Sequence, residues 1–195
     1  MTKTNSTWFL SVQCLLLLFL ITNPAKAVDP NRRISQYGHT AWRMQDGVFN
    51  STPNVIAQTT DGFIWIGTQA GLVRFDGSRF VPAATSSGQP LPDVKITSLR
   101  QARDGSLWIG TPYGLSRLKD GELITYSTAI GISTIIEDHE GTIWVTRYRV
   151  TDGKGPLCRA VDRALQCYGT DAGIPVNYGV GLAEGKRELA ECHCG

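Results

Sequence analysis

Short apolar runs along the chain alternate with polar positions and are punctuated by Asp-Gly pairs, and one such run recurs. Asp61-Gly62-Phe63-Ile64-Trp65-Ile66-Gly67-Thr68 returns as Asp104-Gly105-Ser106-Leu107-Trp108-Ile109-Gly110-Thr111. A looser copy reads Glu140-Gly141-Thr142-Ile143-Trp144-Val145-Thr146. The three tryptophans stand 43 and then 36 residues apart. Self-similarity at roughly 40–45 residues, with one tryptophan-bearing strand per copy, is the mark of a propeller-type repeat. Two of the copies also continue into Gly71-Leu72 and Gly114-Leu115 at the same offset.

Each copy reads as four short strands separated by turn residues. The first predicts strands over Val55–Thr59, Phe63–Thr68, Leu72–Phe75 and Arg79–Pro82. The second predicts Thr97–Ala102, Leu107–Thr111, Leu115–Leu118 and Glu122–Tyr126, and the third Ser133–Ile136, Thr142–Thr146, Leu157–Val161 and Ala164–Tyr168. Asp-Gly between apolar runs is a favoured two-residue hairpin turn, with glycine supplying the positive φ. The predicted fold is all-β, a partial β-propeller of about three to four four-stranded antiparallel blades whose faces are buried by their neighbours. Blades are expected over about 46–85, 92–128 and 129–170 within a propeller segment 46–180. A leader at 28–45 offers Thr40-Ala41-Trp42 as a strand that completes a closing blade. Tryptophans at this position are expected to pack between blades rather than to touch a ligand.

A fourth copy at this spacing would place a tryptophan near position 184, and none occurs from Gly181 to Gly195. Glu184-Gly185-Lys186-Arg187-Glu188-Leu189 reads as helix-like, so 181–195 is expected to be an irregular or aberrant tail. The chain thus reads as the front piece of a longer protein, truncated or out of frame near its end. An unclosed stack of this kind leaves a strand edge and an apolar blade face exposed.

Before the repeats, Lys3 precedes an apolar run from Trp8 to Ile21, followed by Ala25-Lys26-Ala27. This is the pattern of an export signal over 1–27, cleaved after Ala27. The run is short for a membrane span of about 20 residues. Removing 1–27 takes away Lys3 and Lys26 and leaves 17 basic against 17 acidic residues. A neutral surface lacks the basic footprint of a nucleic-acid partner.

The quoted motifs resemble the two-component regulator propeller family, the periplasmic sensor regions of bacterial histidine kinases and related regulators. The likeness lies in Tyr37-Gly38-His39 through Trp42, in Asp46-Gly47-Val48-Phe49, and in the repeated Asp-Gly-x-x-Trp-Ile-Gly-Thr-x-x-Gly-Leu with Phe75-Asp76-Gly77 behind it. It runs from about Ile34 to Gly173. The resemblance implies about 14 blades in two rings. It also implies a β-sandwich, a membrane helix anchoring the protein in the inner membrane, and a cytoplasmic kinase or other output domain. For the full-length receptor, a second copy of the protein is among the expected partners, alongside the remaining blades and output domain. The third copy departs from the pattern, with Thr146 where the others have Gly67 and Gly110, which puts the close backbone approach at that blade in question.

Candidate chemistry is sparse. His39, His139 and His193 are far apart, and no Gly-x-Ser-x-Gly elbow occurs. Asp61, Asp104 and Glu140 recur just before the turn glycines, as turn chemistry demands. Cys192-His193-Cys194 lacks zinc-site spacing, so neither metal nor cofactor is expected. If Asp162-Arg163 is a two-residue turn, Val161 faces Ala164 and Cys158 faces Cys167 as a non-hydrogen-bonded pair. An exported protein would oxidise that pair to a disulfide. Ligand-binding candidates are Gln69, Tyr113, Arg147, Tyr148 and Arg149, on second-to-third-strand loops, with the link Ala84–Pro92 between blades. Aromatic and arginine side chains there suit a polar extracellular ligand such as an oligosaccharide. The leading reading is a non-catalytic ligand sensor. The alternatives are a propeller enzyme of lyase or glycosidase type and a passive interaction scaffold.

Overall fold

A computed structural model describes residues 41–43, 51–83, 88–127, 131–148, 150, 154–174, 181–185 and 190–193. The chain divides into a unit of residues 1–41, of which only Ala41 is described, and a unit running from Trp42 to Gly195. The export signal of 1–27, most of the leader and residues 84–87 of the link therefore lie outside the described residues.

Three four-stranded antiparallel sheets follow one another in the second unit, each a simple meander. The first holds β1 (Pro53–Gln58), β2 (Ile64–Thr68), β3 (Gly71–Phe75) and β4 (Phe80–Pro82). The second holds β5 (Ser98–Gln101), β6 (Leu107–Thr111), β7 (Gly114–Lys119) and β8 (Glu122–Ser127). The third holds β9 (Ile132–Glu137), β10 (Ile143–Arg147), β11 (Leu157–Val161) and β12 (Ala164–Tyr168). β1 packs on β5 and β5 on β9, so the first strand of each sheet lies beside that of the next, the arrangement of propeller blades.

The same chemistry builds every sheet. Between first and second strands the chain makes a three-residue loop rather than the expected two-residue turn. Ala102 N–H donates to Ser106 O (2.8 Å) and Gly105 N–H to Ala102 O (3.0 Å), with Gly105 at φ 80°. Glycine in the left-handed region at the end of such a loop matches the strand twist. The last hairpins are tighter. Asp120-Gly121 and Asp162-Arg163 both have positive φ at each residue. In the first sheet the turn is shifted by one residue from the expected Asp76-Gly77. Asp76 N–H donates to Arg79 O, which leaves Gly77-Ser78 as the loop, with glycine first as a type II′ turn requires.

Apolar side chains from facing sheets make two cores. Leu72 and Ile96 join Leu99, Leu107, Ile109, Leu118 and Leu123 between the first and second sheets. Ala102, Trp108 and Leu115 meet Ile132, Ile135, Ile143, Val145 and Cys158 between the second and third. Gly67 and Gly110 are where the next blade comes closest. A Cβ on Gly67 would lie 2.5 Å from Ile96 Cγ2, and one on Gly110 2.8 Å from Ile132 Cγ2. Thr146 occupies the matching site in the third sheet. It is fully buried, and its Oγ1 has no hydrogen-bond partner among the described residues.

The tail differs from expectation. β13 (Gly181–Glu184) and β14 (Ala190–His193) form an antiparallel pair, so two stretches of the tail expected to be irregular are strand. β13 packs on β9 as β9 packs on β5, the place of a fourth blade's first strand. Ala41-Trp42-Arg43 forms no strand. Trp42 instead lays its ring edge-on against Phe75 and Phe80, with centroids 4.9 and 5.4 Å away.

Candidate functional site

The second-to-third-strand connections of the three sheets lie at one end of the stack and carry most of the expected ligand contacts. Two of them are held by threonine. Thr68 and Thr111 donate from Oγ1 to the carbonyls of Gly71 (2.9 Å) and Gly114 (3.0 Å) across their loops. Gln69 is exposed and donates Nε2–H to Asn54 Oδ1 at 3.1 Å, which presents two side-chain amides together. Tyr113 is 51 % exposed.

The third connection works differently. Arg147 stands where the others have threonine and was expected to face a ligand, but it is 1 % exposed. Its Nε donates to Gly155 O (2.9 Å) and its N–H to Pro156 O (2.8 Å), closing the longer loop. A buried guanidinium is tolerated when its donors find carbonyls. Arg147 is thus a strut, not a ligand contact. Tyr148 is half-buried with its ring against Gly131, where a Cβ would lie 2.6 Å from Tyr148 Cε1. Arg149 lies outside the described residues.

At the opposite end, carboxylates work in turns. Asp61 Oδ1 accepts from Thr59 Oγ1 (2.5 Å) and Phe63 N–H. Asp104 Oδ1 accepts from Ser106 N–H and Oγ, and its Oδ2 faces Arg117 and Lys119 Nζ. Partial burial pushes the Asp104 carboxyl up, but Ser106 and the Arg117 guanidinium outweigh it and hold the group well below the usual carboxylate range. Asp76 is lowered to about 2, chiefly by the N–H of Arg79 and then by Ser78. In the third sheet the working carboxylate is Asp138, not the expected Glu140. It accepts from Glu140 N–H, Thr142 N–H and Trp144 Nε1 (2.8 Å). Burial raises its pKa, and these donors lower it further than burial raises it.

Two repeating devices escaped the sequence reading. Trp65, Trp108 and Trp144 lie directly across from Arg74, Arg117 and Arg159 on the neighbouring strand. The guanidinium groups stand over the rings of Phe63, Trp108 and Tyr168 at 4.3, 6.0 and 5.9 Å. The signal was present as an arginine two residues after each third-strand leucine. The second device ties blade to blade. Arg103 N–H donates to Glu137 Oε2 (2.9 Å), and its guanidinium donates to Asp138 O and His139 O. One blade on, His139 N–H donates to Glu184 Oε1 (3.0 Å), with Nδ1 2.6 Å from the same oxygen. The contact with Glu184 raises the His139 pKa and lowers that of Glu184.

Cys158 and Cys167 are directly opposed and joined by a disulfide, with Cα atoms 3.9 Å apart. The equivalent pair in the second sheet is Ser116 and Thr125, whose hydroxyls lie 3.2 Å apart. Among the described residues no group of three or more His, Cys, Asp or Glu is placed to hold a metal ion.

Residues 90–113, which span the link into β5 and run through the tryptophan strand β6, match the family described as Two component regulator propeller. That stretch carries one copy of this propeller repeat. Among solved structures it is similar to the extracellular domain of a hybrid two component system of B. thetaiotaomicron, at 21 % identity and TM-score 0.56, over 70 % of this chain and 20 % of that one. A second B. thetaiotaomicron extracellular domain, described as that of a one component system, matches at 20 % identity and TM-score 0.58, over 75 % of this chain and 21 % of that one. Virginiamycin B lyase from Staphylococcus aureus matches at 15 % identity and TM-score 0.55, over 70 % of this chain and 47 % of the enzyme. These likenesses establish the propeller fold. The chain spans about a fifth of the two extracellular domains. No curated protein matches it.

Proposed function

We propose that the chain is the N-terminal part of an exported, periplasmic ligand-sensing propeller of a two-component signalling receptor, and that it carries out no chemistry itself. Its full-length form is anchored in the inner membrane, pairs as a homodimer and signals through an output domain. The carrying observation is the exposed Tyr113 ring at the same end of the stack as the Gln69–Asn54 amide pair. An exposed aromatic face beside paired amides fits a polar, ring-shaped ligand, for which an oligosaccharide is the leading class. Tyr148 and Arg149 belong to the same set of loops. The use of Asp61, Asp104 and Asp138 in turn and indole hydrogen bonds supports binding rather than catalysis.

The second reading, a lyase-type enzyme, has in its favour the fold shared with virginiamycin B lyase. A glycan array probed with the chain, alongside Tyr113→Ala, separates the two. Binding to specific oligosaccharides that Tyr113→Ala loses while its circular dichroism is unchanged is the expected result. No glycan binding, or equal binding by the variant, overturns the proposal.

A further inference from the structure

The two blade interfaces are not equally filled. Between the second and third sheets, Tyr126 packs against the core that holds Trp108 and the Cys158–Cys167 disulfide, its ring 4.8 Å from that of Trp108. Strand register puts Ala83 at the position of Tyr126 in the first sheet, since Phe75 pairs Phe80 as Leu118 pairs Leu123. Between the first and second sheets, therefore, a ring is missing where its counterpart has one. A cavity of about 460 Å³ opens there, with Ala83, Phe80, Leu91 and Leu123 in its wall. That is within the range of small-molecule sites, roughly 300–1,000 Å³. Asp93, half-buried, is the one charged residue in its lining among the described residues, and one of its oxygens accepts the Lys95 N–H at 2.7 Å.

We infer that this inter-blade cavity is a second ligand site, distinct from the loop end, for a small aromatic amine. The aromatic part fills the space that Tyr126 occupies one interface along, between apolar walls. The ammonium group lies toward Asp93, whose carboxylate is the charge complement the cavity offers. An aromatic acid of the same size meets the same walls with a repelled charge. Ligand seated here bridges the first and second blades and so tightens their packing.

Isothermal titration calorimetry of the full chain with tryptamine and with indole-3-acetate tests this. Tryptamine is expected to bind at least about tenfold more tightly, a difference worth about 1.4 kcal/mol. Ala83→Tyr, which restores the ring present at the next interface, is expected to abolish binding, and Ala83→Leu to weaken it if the tyrosine variant does not fold. Asp93→Asn is expected to retain tryptamine weakly and to erase the preference over the acid. Absence of tryptamine binding, no preference between the two ligands, or a preference unchanged in Asp93→Asn overturns the inference. Unaltered binding in a folded Ala83 variant overturns it equally.

Discussion

Gly110 shows how one missing side chain sets the spacing of two blades. Its backbone lies so close to Ile132 that any Cβ intrudes on the next sheet. Gly110→Ala is expected to cost about 1–3 kcal/mol, as overpacking does, read as a lower urea midpoint with unchanged m-value. Thr146 bears the opposite choice, a buried hydroxyl without a partner among the described residues. Arg147 teaches a related lesson. Its type and its loop position both pointed to a ligand, and only burial against Gly155 and Pro156 revealed a structural role. Side-chain direction at a strand end depends on loop length, which the local sequence pattern does not encode.

A single hairpin, β11–β12, draws its stability from a covalent link where its counterpart uses hydroxyls. Ser116 and Thr125 occupy in β7–β8 the paired positions that Cys158 and Cys167 occupy in β11–β12. Converting the cysteines to that pair, Cys158→Ser with Cys167→Thr, is expected to cost about 2–4 kcal/mol. Guanidinium unfolding under oxidising conditions measures this, and reduced wild-type protein should unfold near the variant's midpoint. This hairpin was legible in advance because the register of a two-residue turn fixes every opposed pair outward from it. The turn of β3–β4 lies one residue beyond the Asp76-Gly77 pair that the sequence favours, because Asp76 caps the loop rather than entering it. Its carboxylate accepts the N–H groups of Ser78 and Arg79, and that local competition moved the turn to Gly77-Ser78.

Across the whole stack, unequal burial of equivalent positions tells which faces are covered. Leu99 and Ile135 are 9 % and 5 % exposed beneath the preceding blade, whereas Ile56, at the same place in the first sheet, is 66 % exposed. Ile135→Ala is expected to cost about 2–5 kcal/mol, but Ile56→Ala no more than about 0.5 kcal/mol, both measured by chemical unfolding. At the other end, the β13–β14 pair is tied to the third blade through His139 and Glu184. Asp138 and Glu140 on the same turn and Arg103 from the preceding blade complete the charges facing that imidazole. The His139 pKa is raised above its ordinary 6.5 and that of Glu184 is lowered, so the charged contact is present between the two, is lost as pH rises through the raised histidine value, and is lost again where the carboxylate protonates. Hydrogen-exchange protection of the β13 amides is expected to be greater at about pH 6 than at about pH 8.5. His139→Gln should remove the difference while the main-chain bond to Glu184 keeps the pair seated.

The sequence by itself determined the repeat, the three tryptophan-bearing copies, nearly every one of their strands and the opposition of the two cysteines. Each of these follows from local periodicity, turn residues and register, which are properties of neighbouring positions. Only the tertiary structure decided that Arg147 is buried, that Glu137 and Glu184 latch successive blades, that the tail contributes a strand beside β9, and that the first interface holds a cavity of about 460 Å³. Those outcomes depend on which groups from distant copies meet across a blade face, and contacts between residues 34 to 45 positions apart leave no local pattern to read.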